Sequence, residues 1–411
     1  MSAPLDSAKT VFLFPGVGAQ QADMFAAFRD FREYHDCLSE VSDLSGVDLM
    51  AVIHGEQRDA LKQVRVSQLA LTATTVAIAR ILRQHCGLIP DYVMGHSLGQ
   101  YPALCAAGYL DLATVTRVVS LRSEAVEACA RRFEQGEMCW VLHVPAETVV
   151  QAVETARREE GIEIYVSAID AYDQATVSGE MAEIRRFAPR LEAAGALFFP
   201  LKIGGPFHSP LMEAARAQLA AALDFLPDTT TDQRVSRLVC NVSAAELPMA
   251  GLKASILQHL VSPVQWLRSQ QYLAGQGVTR YLEISPKAVQ GYLVQRARLP
   301  MQPLCEPQAL FSLQQQASSA ERRAARFFQR CCFHLYSEPL PALEDDAALQ
   351  RLRQIRQEVK QRLAAAPATA EERRFLLQQT RQWLATIEAE AGVSRSLARQ
   401  SLQCLYEATE G

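Results

Sequence analysis

Apolar positions in the first part of the chain come in short unbroken runs that stop at glycine or proline. Thr10 to Phe14 (TVFLF) halts at Pro15-Gly16, with Gly18 close behind, and predicts a buried strand running into a tight loop. Tyr92-Val93-Met94 predicts a second strand, leading into Gly95. Between them Ser67 to Leu82 is apolar and alanine-rich, which predicts a helix with Ser67 as its N-cap. Tyr101 to Ala107, small and apolar, predicts a buried helix. Strand signals return at Leu238–Val242 and Tyr281–Ile284.

The middle of the chain has a different rhythm. Met138–Val144 reads as a strand, Ala146–Glu159 as a helix, Ile162–Ile169 and Gln174–Ser178 as two strands, Glu180–Ala194 as a helix and Leu197–Ile203 as a last strand. The order βαββαβ is that of a ferredoxin-like unit, set here as an insert within a larger α/β domain. Beyond about Cys305 the chain turns rich in Gln, Arg, Glu and Ala. Leu349, Leu352, Ile355, Val359 and Leu363 recur at helical spacing, as do Leu376, Trp383, Leu384 and Ile387, with Leu397, Leu402 and Leu405 marking a third stripe. Three amphipathic helices are expected there.

Composition narrows the class. A chain of 411 residues exceeds one small core, so two or three structural units are expected. A net charge of −4 argues against bulk nucleic-acid binding. Met1 to Lys9 is short and polar, without a basic lead into an apolar segment, and no long uniformly apolar stretch follows. No leader and no membrane span are expected, and a cytoplasmic location is. The ten cysteines form no CxxC pair and no regular Cys/His spacing, so reduced thiols and no metal site are expected.

The sharpest chemical signal is Gly95-His96-Ser97-Leu98-Gly99, a G-x-S-x-G nucleophile elbow between a predicted strand and a predicted helix. The turn must be tight, so glycines flank it. Ser97 then projects its hydroxyl at the N-terminal end of a helix, where backbone N–H groups favour an oxyanion. A serine hydroxyl needs a base at neutral pH. Among eight histidines, His208 stands in a fixed loop after a strand, Gly204-Gly205-Pro206-Phe207-His208-Ser209-Pro210. His96 is its rival, although neighbouring side chains on an elbow point apart.

FPGVGAQ (Phe14–Gln20), GHSLGQ (Gly95–Gln100) and FHSPLM (Phe207–Met212) occur in the order of the malonyl-CoA:acyl carrier protein transacylases, which the chain resembles over roughly residues 9–300. VSQLAL (Val66–Leu71), AYDQATVSGE (Ala171–Glu180) and SPVQW (Ser262–Trp266) follow the same order, and the acyltransferase domains of polyketide synthases share it. The resemblance implies an α/β fold with an α/β-hydrolase-like large subdomain over 1–132 and 204–304. A ferredoxin-like small subdomain over 133–203 is inserted in it, and a helical C-terminal extension over 305–411 lies outside the match. It implies a ping-pong reaction in which Ser97 attacks an acyl-CoA thioester, His208 accepts its proton, and the phosphopantetheine thiol of an acyl carrier protein then takes the acyl group. No permanently bound cofactor is implied. The backbone N–H groups of Val17 and Leu98 map to the oxyanion hole, and a main-chain carbonyl near Gln265 is expected to orient the imidazole. Arg122 is expected to grip a malonyl carboxylate with two parallel hydrogen bonds, with Gln68 lining the same pocket. Phe207, beside the base, is expected to crowd a methyl branch at C2.

Some positions depart from the family pattern. Val17 replaces glutamine, Ala19 serine, Gln100 glutamate and Asp170 asparagine, and Ala171-Tyr172-Asp173 replaces a small-Pro-x segment. These spare Ser97, His208 and Arg122 but admit a hydroxy- or amino-substituted malonyl unit. The departures and the tail point to a free-standing enzyme serving a separate carrier protein in a polyketide or hybrid peptide assembly. Arg185, Arg186, Arg190 and Lys202 are candidate contacts for an acidic carrier. Two rival readings are an acyl-carrier-protein hydrolase of the same fold and a silent scaffold that binds a carrier through its tail.

Overall fold

The computed structural model describes residues 9–226, 234–248 and 250–287, and the backbone of 301–303. The helices expected over 305–411 lie outside the described residues. By contacts the chain divides into two units. One comprises 1–80, 90–232 and 236–307 and holds both sheets; the other gathers 81–89, 233–235 and 308–411.

A five-stranded parallel sheet anchors the first unit, in the order β7 (Arg237–Val239), β2 (Tyr92–Gly95), β1 (Lys9–Phe14), β8 (Val278–Glu283), β9 (Met301–Pro303). β1 is central and buried on both faces from Thr10 to Phe14, which is why it reads as an uninterrupted apolar run. Its register, Phe14 opposite Gly95, places the ends of β1 and β2 side by side. Each fully buried Leu, Val or Phe here contributes roughly 1.5–3 kcal/mol of transfer free energy. The helices outside the insert are, among the described residues, α1 (Arg32–Ser45), α2 (Leu49–Ile53), α3 (Val64–Cys86), α4 (Gln100–Ala107), α5 (Leu112–Ala130), α9 (Glu213–Ala222), α10 (Leu252–Val261) and α11 (Trp266–Gly275).

α3 begins earlier than its sequence pattern suggests. Ser67 lies inside the helix, and its hydroxyl donates back to the Val64 carbonyl at 2.9 Å, a local bond that replaces a capping role. The helix closes on Gly87, at φ 63.

The insert is a four-stranded antiparallel sheet in the order β4 (Ile164–Ala171), β5 (Gln174–Glu180), β3 (Gly136–Leu142), β6 (Leu197–Pro200). With α6 (Ala146–Glu160), α7 (Met181–Phe187) and α8 (Pro189–Glu192), this is the ferredoxin-like arrangement. One face of the sheet packs Cys139, Val141, Ile164, Val177 and Phe187 into its own core with the helices. The long helix expected to follow β5 is split in two, because Pro189 brings no N–H to the ladder and starts a new turn. β6 stops at Pro200, and the chain turns through Lys202 (φ 55) and Gly204 (φ 71) towards the predicted base.

The inserted sheet is tied by backbone to the segment between α10 and α11. Val264 N–H donates to the Ser167 carbonyl and Ile169 N–H to the Val264 carbonyl, each at 2.9 Å. Ala168 joins Val11, Leu13, Met94, Val239 and Trp266 in a shared core at this junction.

Candidate active site

The strand β2 ends at Gly95, and the chain reverses through His96 and a single turn of 3-10 helix (Ser97–Gly99) into α4. Ser97 is held at φ 50, a left-handed conformation that costs a non-glycine residue energy and recurs at functional sites. The flanking glycines are dictated by space. A Cβ on Gly95 would run into the Gly99 carbonyl carbon, and a Cβ on Gly99 into the Phe14 carbonyl oxygen. Asn241, just past β7, holds the turn. Its Oδ1 accepts the Ser97 N–H at 2.8 Å and its Nδ2 donates to the Gly95 carbonyl at 2.5 Å. Its own N–H donates to Gln100 Oε1 at 2.8 Å, and its carbonyl accepts Gln265 N–H at 2.7 Å.

The His208 Nε2 lies 2.7 Å from Ser97 Oγ. The loop that carries it is fixed from both subdomains. Ser209 Oγ donates to the Pro206 carbonyl at 2.6 Å, and Ser178 Oγ, from β5, donates to the Phe207 carbonyl at 2.7 Å. His208 itself is at φ 55. Its Nδ1–H donates to the main-chain carbonyl of His259 at 2.9 Å, which leaves Nε2 as the acceptor facing the serine. This corrects the expectation for Gln265. The Gln265 carbonyl is taken by Ser269, through its N–H at 2.9 Å and its Oγ at 2.8 Å, at the start of α11. His259 sits in the last turn of α10, where carbonyls lack helical partners and are open to a side chain.

Burial, and after it the nearby Arg122 charge, push the His208 imidazole down to about 3, while the His259 carbonyl works the other way. The ring is therefore neutral at pH 7. His96, the rival base, is engaged elsewhere. Its Nε2 lies 2.8 Å from Asp170 Oδ1, and the other Asp170 oxygen accepts Thr176 Oγ1 at 2.8 Å.

Arg122, on α5, is buried beside this pair. Its guanidinium donates to Gln68 Oε1 at 2.9 Å, an oxygen that also accepts Ser123 Oγ at 3.1 Å. Its Nε is buried without a partner, and among the described residues no carboxylate forms an ion pair with it. A buried cation in that state is a seat for an anion. Phe207 is half-buried with its ring against Gly205, where an added Cβ would stand 2.7 Å from the ring. Gly16 lies against the elbow, its notional Cβ 3.7 Å from Ser97 Cβ, and Val17, the next residue, is exposed. Leu98 is buried within the 3-10 turn.

Among the described residues no three His, Cys, Asp or Glu side chains converge as a metal site, and no helix is long and apolar enough to cross a membrane. The carrier-facing candidates are partly engaged: Arg186 and Arg190 bond Glu160 and its carbonyl, and Arg186 also faces Glu183, while Arg185 and Lys202 are exposed. Asn241 and His259 have no signal in the sequence, since one acts through a lone amide in a loop and the other through its main chain.

A family model described as "Acyl transferase domain" matches residues 11–304. The malonyl CoA-acyl carrier protein transacylase of Escherichia coli O157:H7 is 30% identical over 304 residues, covering 73% of this chain and 96% of the relative. That of Bacillus subtilis (strain 168) is 30% identical over 291 residues, 70% of this chain and 90% of the relative. Among solved structures, the enzyme of the same abbreviated name (MCAT) from Streptococcus pneumoniae superposes with a TM-score of 0.69 at 31% identity, covering 75% of this chain and all of that one. A malonyl-transacylase solved in complex with a type II polyketide synthase acyl-carrier protein gives 0.70 at 27% identity, with coverage of 75% and 99%. With its serine elbow and its inserted ferredoxin-like sheet, the chain belongs to the acyl transferase domain family, as a member of the malonyl CoA-acyl carrier protein transacylases.

Proposed function

We propose that the chain moves a malonyl-type acyl group from CoA to the phosphopantetheine thiol of an acyl carrier protein, through an ester on Ser97. The observation that carries this reading is a buried arginine without a carboxylate partner beside a serine–histidine pair at 2.7 Å. Ser97 Oγ attacks the thioester carbonyl carbon while its proton passes to His208 Nε2. The backbone N–H groups of Val17 and Leu98 receive the oxyanion. On collapse the C–S bond breaks and the departing thiolate takes the proton back from His208, leaving the seryl ester and free CoA. The carrier thiol then gives its proton to His208 and attacks the ester carbonyl; the acyl C–O bond to Ser97 breaks, and the departing Oγ recovers the proton from His208.

Arg122 selects the substrate. A free carboxylate on the acyl group pairs with the guanidinium, whereas a neutral acyl group leaves that charge buried and unpaired. Bound carboxylate also offsets the second cause of the depressed His208 pKa, so the substrate strengthens its own base. The relative solved with a type II polyketide synthase carrier protein supports a separate carrier protein as acceptor.

Intact mass after incubation with malonyl-CoA tests the reading. A malonyl-sized adduct is expected on the parent protein and none on Ser97→Ala; an adduct that persists in Ser97→Ala refutes it. Transfer to a carrier protein is expected to exceed release of free acid, and the opposite ratio would make the enzyme a hydrolase.

A further inference from the structure

Tyr101 and His259 occupy the space between the arginine and the base. Both are fully buried, Tyr101 on α4 and His259 on α10. The Tyr101 hydroxyl lies 3.3 Å from His259 Nδ1. Arg122 stands over the Tyr101 ring, 5.3 Å from its centre. On the far side the His259 ring is 4.9 Å from the ring of His208, whose Nδ1–H its carbonyl already holds. The His259 Nε2 is buried without a partner.

We propose that His259 is a positioning residue that ties the strength of the base to the occupancy of the arginine. The inference rests on the carboxylate reading of Arg122 given above. An unpaired guanidinium opposes a second positive charge on His208 in the same dry interior. A carboxylate on Arg122 removes that opposition. It also shifts the guanidinium over the face of the Tyr101 ring, and the change passes through two packed rings to the carbonyl that orients His208. The other titratable groups near the two imidazoles are His96 and Asp170, which the test leaves unchanged.

Two variants separate this role from mere packing. His259→Gln keeps the main-chain carbonyl, and Tyr101→Phe keeps both imidazoles and removes one oxygen. Acylation time courses with malonyl-CoA and acetyl-CoA are followed by intact mass from acid to alkaline pH. Each variant is expected to lose about five- to tenfold of the preference for malonyl, the scale of one buried hydrogen bond. The loss should fall on the maximal rate and not on KM, and the acid limb of the malonyl profile should move. Acetyl loading, which leaves Arg122 unpaired, should keep its profile. If His259→Gln does not fold, Tyr101→Phe decides. Folded variants with the parental preference and pH profile overturn the proposal. If the parent protein itself loads acetyl as readily as malonyl, the carboxylate reading fails first, and the link falls with it.

Discussion

Ser97 and His208 both hold a left-handed backbone, at φ 50 and 55, so their side chains meet because two strained loops are braced. Removing the imidazole leaves the serine in place without a proton acceptor. His208→Ala is expected to slow acylation by about 10²–10⁴ with little change in KM, measured by adduct formation over time. Arg122→Ala acts on selection. Loss of a charge-assisted pair is expected to weaken malonyl loading by about 10–100-fold and to raise acetyl relative to it, read from competing acyl-CoAs in one mixture. Unchanged selectivity would remove the carboxylate argument. That Ser97 meets His208, and Arg122 meets Gln68, was legible only through the ordered motifs that carry the family resemblance. The orienting carbonyl expected near Gln265 belongs to His259, since a main-chain acceptor leaves no residue-type signature and depends on where α10 ends.

At the scale of elements, the elbow depends on β1 and β2 ending side by side and on Asn241 gripping the turn from β7. Asn241→Ala deletes two hydrogen bonds to the elbow and leaves the Ser97 N–H and Gly95 carbonyl without that partner. A loss of about 1–3 kcal/mol in stability is expected, checked by urea unfolding, together with slower acylation. Gly99→Ala should be worse, because its methyl would meet the Phe14 carbonyl oxygen and backbone cannot yield cheaply. The strands were legible from apolar runs that end at glycine. The helix edges were less so. Ser67 has the residue type of a cap, yet its hydroxyl is satisfied one turn back inside α3, and the split at Pro189 interrupts a pattern that is otherwise helical.

For the whole molecule, acid is the condition that exposes the cost of this site. His208 and His259 are fully buried and both are depressed by burial. Between the ordinary histidine value of about 6.5 and their folded values, the unfolded chain binds protons that the folded chain refuses. Stability contributed by neutral burial is therefore present above that value and is lost as pH falls below it. Each imidazole adds about 1.4 kcal/mol per pH unit to the slope. Urea midpoints should fall from pH 7 towards pH 5 in the parent protein, and more gently in His259→Gln.

The hydroxyl of Ser178 reaches from the inserted sheet to the peptide that carries Phe207, one residue before the base. An engineer who exchanges the insert for that of a homologue therefore also resets the seat of the imidazole. Grafts that carry β5 together with the loop from Gly204 to Ser209 should retain turnover, and grafts cut between them should lose it even when they fold.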